Sequence, residues 1–190
     1  MDKVRIAVAG AGLIGLRHIE EVQKSRSARL AAIVDPSPKA VDIAQREGVP
    51  LHASLDALFA THRPDGIVLA TPNTLHVEQA LQCIAAGIPV LVEKPIAHTV
   101  EEGTRLVTAA ERAGARLLVG HHRPHSPILH KAVEVIRSGV LGPLVAVIGS
   151  AAFYKPEGYF DGPYAWRTQP GGGPILINMI HEVGLSLIHI

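Results

Sequence analysis

Gly10, Gly12 and Gly15 stand in the spacing G-x-G-x-x-G, directly after the apolar run Val4–Ala9 and directly before a helical pattern. The chemistry open to that spacing is anion binding by backbone N–H groups. Gly10 permits a tight turn, Gly12 lets the backbone approach a diphosphate, and Gly15 lets helix and strand pack closely. Leu13 and Ile14 fill the variable places of the first helical turn, where the positive end of the helix dipole faces the anion. Asp35 closes a second apolar run, Leu30–Val34, and lies twenty positions beyond Gly15. A carboxylate placed there meets an adenosine ribose 2′-hydroxyl. It would repel a 2′-phosphate, and no arginine follows within Pro36-Ser37-Pro38, so NAD is favoured over NADP. The plainer alternative is a strand–turn–helix without a ligand, and the placement of the acid speaks against it.

Three further segments carry groups that could act on a substrate. Thr71, Pro72, Asn73 and His76 lie in Ala70–His76, just after a strand pattern, and ligands in doubly wound sheets bind beyond the carboxyl ends of strands. Thr71 and Asn73 are therefore expected beside the cofactor, although Asn73 or Thr74 would serve equally as a plain helix cap. Glu93-Lys94-Pro95 also follows a strand and should reach the same crevice. A lysine there polarises or protonates a carbonyl, or is merely a surface charge. Downstream, Gly171-Gly172-Gly173-Pro174 precedes Asn178 and His181, which share a face if the segment is helical. Arg167 beside Trp166 either holds a substrate oxygen or stacks on the indole.

The elements that must position these groups alternate. Strands are expected at Val4–Ala9, Leu30–Val34, near Val49–His52, Gly66–Ala70, Pro89–Val92 and Arg116–Val119. Helices are expected at Ile14–Ser25, Lys39–Glu47, Leu55–Ala60 with Ser54 as its cap, Thr74–Ala86 and Val100–Ala113. Near-continuous apolar strands alternating with helices predict an α/β fold with a parallel, doubly wound sheet of the Rossmann kind. After about Gly120 the texture changes. A helix at Ile128–Arg137, a long strand at Leu144–Phe153, an aromatic Gly/Pro-rich stretch and a final helix from Ile175 to Ile190 are expected.

Taken together, these segments resemble the Gfo/Idh/MocA family of NAD(P)-dependent oxidoreductases. The resemblance is carried by Gly10–Gly15, Ala70–His76, Glu93–Pro95, Gly120–Arg123, Trp166-Arg167 and the glycine-rich run before His181. It implies a Rossmann domain over residues 1–122 and, over 123–190, the incomplete start of an α+β substrate and oligomerisation domain. The implied reaction moves a hydride between nicotinamide and a CH–OH/C=O carbon of a sugar, polyol or cyclitol. Lys94 and His181 fall on the family's catalytic positions. His181, neutral, would take the hydroxyl proton, and Lys94 would hydrogen-bond the same oxygen. Gly10, Gly12, Leu13, Ile14, Gly15, Asp35, Thr71, Pro72, Asn73, His76, Glu93 and Lys94 would bind NAD. Lys94, Arg123, Trp166, Arg167, Asn178 and His181 would contact substrate. Many members carry an aspartate four residues before this histidine; Ile177 stands there, with Asn178 beside it. Asn178 can hydrogen-bond a hydroxyl but cannot act as a base. The rival reading is a non-catalytic dinucleotide sensor of the same fold, and the presence of both Lys94 and His181 argues against it.

Composition speaks against two classes of partner, and the resemblance implies a small-molecule substrate. A net charge of +1 with scattered Lys and Arg speaks against nucleic acid. No apolar run approaches the ~18 residues of a membrane helix. Lys3 and Arg5 before an apolar run loosely imitate a signal peptide, but three glycines interrupt it. One cysteine, Cys83, fits a cytoplasmic address and a small buried hydrophobe on its helix. His121, His122, His125 and His130 cluster, but Pro124 and Pro127 forbid an ordinary helical ligand pair, so no metal is expected. One of His121 or His122 is expected to line the cofactor pocket instead. A complete protein of this kind is expected to be a homo-oligomer. The last six residues, Leu185 to Ile190, match the in-frame translation of a transposon adapter used in DNA library preparation. They are read as an artificial tail on a truncated chain, with native sequence lost around Gly184. Apolar faces beyond about Arg123 are then expected to be exposed, sticky or poorly ordered.

Overall fold

The computed structural model describes residues 2–186 apart from 144, 147, 149, 151 and 153. Contacts divide the chain into two compact units, 1–120 and 121–190.

The first unit holds six strands, β1 (Val4–Ala9), β2 (Ala28–Val34), β3 (Leu51–His52), β4 (Gly66–Leu69), β5 (Val90–Val92) and β6 (Leu117–Val119). They form one sheet in the order β3-β2-β1-β4-β5-β6, every pair parallel. Parallel strands need crossovers, and these are α1 (Leu13–Lys24), α2 (Lys39–Glu47), α3 (Leu55–Thr61), α4 (His76–Ala85) and α5 (Val100–Ala113). Successive side chains of a strand point to opposite faces, so β1 feeds two cores at once. Ala7 and Ala9 pack with Ile67, Leu69, Val90 and Val92 against Leu58, Val77, Ala80 and Leu106. Val8 packs with Leu30, Ile33 and Val68 against Ile19 and Ala44 on the other face. That double burial is why the strands read as unbroken apolar runs. The sheet is the doubly wound Rossmann fold expected from the sequence, with its switch point between β1 and β4.

Local signals set the helix ends. The Ser54 hydroxyl accepts from the Ala57 N–H to start α3, and the Thr99 hydroxyl accepts from the Glu102 N–H to start α5. The helix expected over Thr74–Ala86 is divided: a 3-10 turn covers Asn73–Leu75 and α4 begins at His76. Neither Asn73 nor Thr74 is its cap residue; that position is Leu75, which makes no side-chain cap bond. Cys83 lies fully buried on α4, and that burial pushes its thiol up to about 12.

The second unit contains α6 (Pro127–Arg137) and α7 (Ile180–Ser186), with 3-10 turns at Arg123–His125, Glu157–Tyr159 and Gly162–Thr168. None of the residues of α6 is buried. The expected strand over Leu144–Phe153 falls partly outside the described residues. Its described members carry no regular structure, since a strand requires a ladder partner and no described segment pairs with it. The long final helix is also corrected. A π-turn occupies Ile175–Met179, with the Ile180 N–H reaching back to the Ile175 carbonyl, before α7 begins; residues 187–190 lie outside the described set. Apolar side chains stand open as expected, Val145 at 93% and Ile148 at 95% exposure. No described helix is long and apolar enough to cross a membrane.

A Cβ added at Gly15 would lie 1.7 Å from the Gly10 carbonyl oxygen, whereas one added at Gly12 meets nothing within 4 Å. Gly15→Ala is therefore expected to cost about 3 kcal/mol, the upper range for overpacking against backbone. Gly12→Ala should stay within about 0.5 kcal/mol. Urea unfolding midpoints at constant slope check both.

Candidate functional site

The carboxyl rim of the sheet is held by one belt of backbone bonds. The first residue after five of the six strands donates its N–H to the last carbonyl of the strand beside it. Asp35 donates to His52, Gly10 to Val34, Ala70 to Ala9, Glu93 to Leu69 and Gly120 to Val92, at 2.8–2.9 Å. The belt crosses all five strand pairs, so the segments bearing Gly10, Asp35, Thr71 and Lys94 stand on one rim.

At the switch point Gly10 has φ +88°, and a side chain there would strike the Ala70 carbonyl at 2.6 Å. The chain turns tightly and α1 starts at Leu13 with Gly12 as an extended N-cap. No side chain caps that end and no acid stands in its first turn, so its N–H groups face outward for an anion. The open space at Gly12 leaves the approach clear. Leu13 and Ile14 are 64% and 43% exposed beside it. The Asp35 Oδ2 accepts from the Ala11 N–H at 2.7 Å and Oδ1 accepts from the Ser37 N–H at 2.8 Å. The acid thus braces the glycine turn itself, while each oxygen keeps a lone pair for a ribose hydroxyl. An outward-facing helix start, a clear approach and an acid at the end of β2 fit a dinucleotide.

Beyond β4, the Thr71 hydroxyl donates to Gln79 Oε1 at 2.6 Å, Pro72 is exposed and Asn73 is buried. His76, expected among the cofactor-binding residues, is sealed from solvent. It is 1% exposed, and its Nδ1 and Nε2 lie 2.8 Å and 2.9 Å from the carbonyls of Pro95 and Thr71. The ring sits between the two loops, and its single N–H when neutral donates to one of these carbonyls. Burial depresses its pKa, outweighing those two carbonyls.

Beyond β5, Lys94 is half-buried, its peptide to Pro95 is cis, and its N–H donates to Glu93 Oε2 at 3.1 Å. Glu93 Oε1 accepts from Nε2 of His18 on α1 at 2.8 Å. Burial, the largest single influence, would raise the Glu93 carboxyl. The bond and charge of His18 with the N–H and charge of Lys94 together hold it below the ordinary range. Sequence reading passed over His18. Its signal was the position three residues after Gly15, on the same face of α1.

In the second unit the His122 and His181 rings meet edge to face, 4.9 Å between centroids. Arg123 pairs with Glu182, the residue after His181. Of the two roles expected for Arg167, stacking is present. Its guanidinium lies 3.9 Å over the Tyr159 ring and 5.8 Å from the Trp166 ring, while Nη1 donates to the Tyr159 carbonyl at 2.8 Å. Asn178 and His181 do not sit on one regular helix, because Asn178 lies in the π-turn and His181 in α7. The wider turn changes the angular spacing that three residues would give in an α-helix. Among the described residues no group of three His, Cys, Asp or Glu could hold a metal ion.

Comparison with known proteins places this geometry. A family model for oxidoreductases with an NAD-binding Rossmann fold matches residues 4–121. The rhizopine catabolism protein MocA of Rhizobium meliloti is 31% identical over 183 residues, 96% of this chain and 56% of that protein. Inositol 2-dehydrogenase 2 of Saccharopolyspora erythraea is 37% identical over 143 residues, 73% of this chain and 42% of that protein. Among solved structures, the WlbA dehydrogenase of Bordetella pertussis in complex with NADH and UDP-GlcNAcA is 35% identical. Its TM-score is 0.67, covering 74% of this chain and 44% of that one. An NAD-binding protein from Listeria innocua shares the fold, with TM-score 0.81 at 22% identity, covering 98% of this chain and 54% of that one. The chain thus spans about half the length of the relatives it matches. It belongs to the Gfo/Idh/MocA family of oxidoreductases.

Proposed function

We propose that this chain is the NAD-binding part of a dehydrogenase or reductase acting on a CH–OH/C=O carbon of a sugar, polyol or cyclitol. The observation that carries the reading is the shared rim, on which the Gly10–Gly15 turn, Asp35 and the Lys94 loop are set by one belt of backbone bonds. The inositol dehydrogenase relative and the WlbA structure with a nucleotide sugar support the substrate class.

In this reading Gly10, Gly12, Leu13, Ile14 and Gly15 hold the diphosphate on the helix start. Asp35 receives the ribose 2′-hydroxyl and turns away a 2′-phosphate. Thr71, Pro72, Asn73 and Glu93 line the rim, with His76 fixing the loops from below. The bound nicotinamide supplies the hydride chemistry. Lys94 donates a hydrogen bond to the substrate oxygen and stabilises the charge that develops there. In the second unit His181 is assigned as the base for the hydroxyl proton, with Trp166 and Asn178 contacting substrate. Arg123 and Arg167 hold Glu182 and Tyr159 and serve the substrate through them. A cytoplasmic address is supported by a lone, buried thiol. Self-association of the complete protein is supported by the open apolar side chains of the second unit, Ile128 among them.

NADH fluorescence titration tests the reading directly. The chain should bind NADH more tightly than NADPH, and absence of binding to either would sink it. Asp35→Asn keeps an acceptor for the Ala11 N–H but removes the charge. The NADH-over-NADPH preference should then fall by about tenfold, the scale of one charge-assisted hydrogen bond. In the complete protein, Lys94→Ala should lower turnover on inositols and sugars by about 100-fold or more, with NADH affinity nearly unchanged.

A pH dependence follows from Glu93. Its folded carboxyl lies below the ordinary value, so its contribution is present above the unfolded pKa of about 4.3 and is lost as pH falls through the folded value. The stability gap between the native chain and Glu93→Gln should narrow as pH falls from the unfolded value through the folded one, read by urea unfolding at each pH.

A further inference from the structure

We propose that the His18–Glu93 pair is a specificity-determining strut that fixes the spacing between the diphosphate end and the nicotinamide end of the groove, so that the site prefers a whole dinucleotide to an adenine mononucleotide. This inference rests on the dinucleotide reading above and adds to it a part for two side chains that need not touch the diphosphate.

Three observations meet on Glu93. Its Oε1 accepts from Nε2 of His18 at 2.8 Å, and the two side chains are only 26% and 14% exposed. Its Oε2 accepts from the backbone N–H of Lys94 at 3.1 Å. A Cβ at position 120 would fall 2.7 Å from Oε1 and 2.9 Å from the carboxyl carbon, so the carboxylate occupies space that only glycine leaves free. The carboxylate is thereby held from three sides. Its partners belong to α1, whose first turn receives the diphosphate, and to the loop that carries Lys94. The strut joins the two ends of the groove at side-chain level, above the backbone belt.

The physical consequence separates ligands by length. ADP occupies the ribose and diphosphate positions at Asp35 and the glycine turn, and does not need the Lys94 loop. A dinucleotide engages both ends, and its second half binds as an intramolecular event whose strength depends on how well the two ends are registered. Loosening Glu93 therefore penalises NADH and spares ADP. A side chain that merely stabilised the fold would penalise both.

Calorimetric titration of the 190-residue chain with NADH and with ADP tests the strut. His18→Ala should weaken NADH by about tenfold while ADP stays within about twofold, the scale of one hydrogen bond to a charged group. His18→Gln places an amide donor where Nε2 stood and should restore most of the NADH affinity. Gly120→Ala leaves His18 intact but displaces the flexible end of Glu93, and should reproduce the His18→Ala pattern. Retained ADP binding shows in each case that the turn is folded. Equal weakening of both ligands, or no change in either, overturns the strut and leaves the dinucleotide reading standing. A native chain that binds neither ligand overturns both.

Discussion

The loops that carry Gly10, Asp35, Thr71 and Lys94 are placed by backbone hydrogen bonds at the carboxyl ends of parallel strands. At each of the five strand pairs the last carbonyl of one strand accepts from the residue that follows its neighbour, from His52 to Gly120. Side chains alternate along a strand, so a slip of one residue would exchange the two cores and carry Asp35 or Lys94 to the wrong face. The two cores forbid that slip, since Val8 and Ala9 are both fully buried against different helices. Chemistry at the rim is thus secured by hydrophobic burial well below it. The close approach of Gly15 to the Gly10 carbonyl completes the arrangement, because it seats α1 where its N-terminus overlooks the switch point.

Much of this was legible in the residues. Unbroken apolar runs such as Val4–Ala9 and Gly66–Leu69 mark strands buried on both faces, and the Ser54 and Thr99 caps mark helix starts by local chemistry alone. The glycine spacing and Asp35 depend on short-range geometry, so they too could be read. The brace from Asp35 to the Ala11 N–H could not, because it crosses from one strand end to another. His18 and Glu93 lie seventy-five positions apart, and nothing local in either announces the other. His76 was visible as a site residue, but its role was not. Only the packing of α4 shows that its ring faces inward to two carbonyls.

Reading was weakest in the second unit, for a physical reason. Segments there take their form from partners, and among the described residues those partners are few. Leu144–Phe153 has a strand's composition, yet its described residues pair with no neighbouring strand. The π-turn at Ile175–Met179 arises from one extra residue within a helical turn, which no residue preference announces. What holds this unit among its described residues is polar and aromatic: Arg123 with Glu182, Arg167 over Tyr159, and His122 against His181.

The single thiol has a practical consequence. Cys83 is sealed beneath α4 and its sulfur resists ionisation, so an alkylating reagent finds no thiolate while the sheet and helix stay together. Labelling of that sulfur can proceed only through openings that part α4 from the strands. The chain therefore carries its own clock for such openings, needing no engineered probe, and everyday oxidants have no purchase on the folded unit.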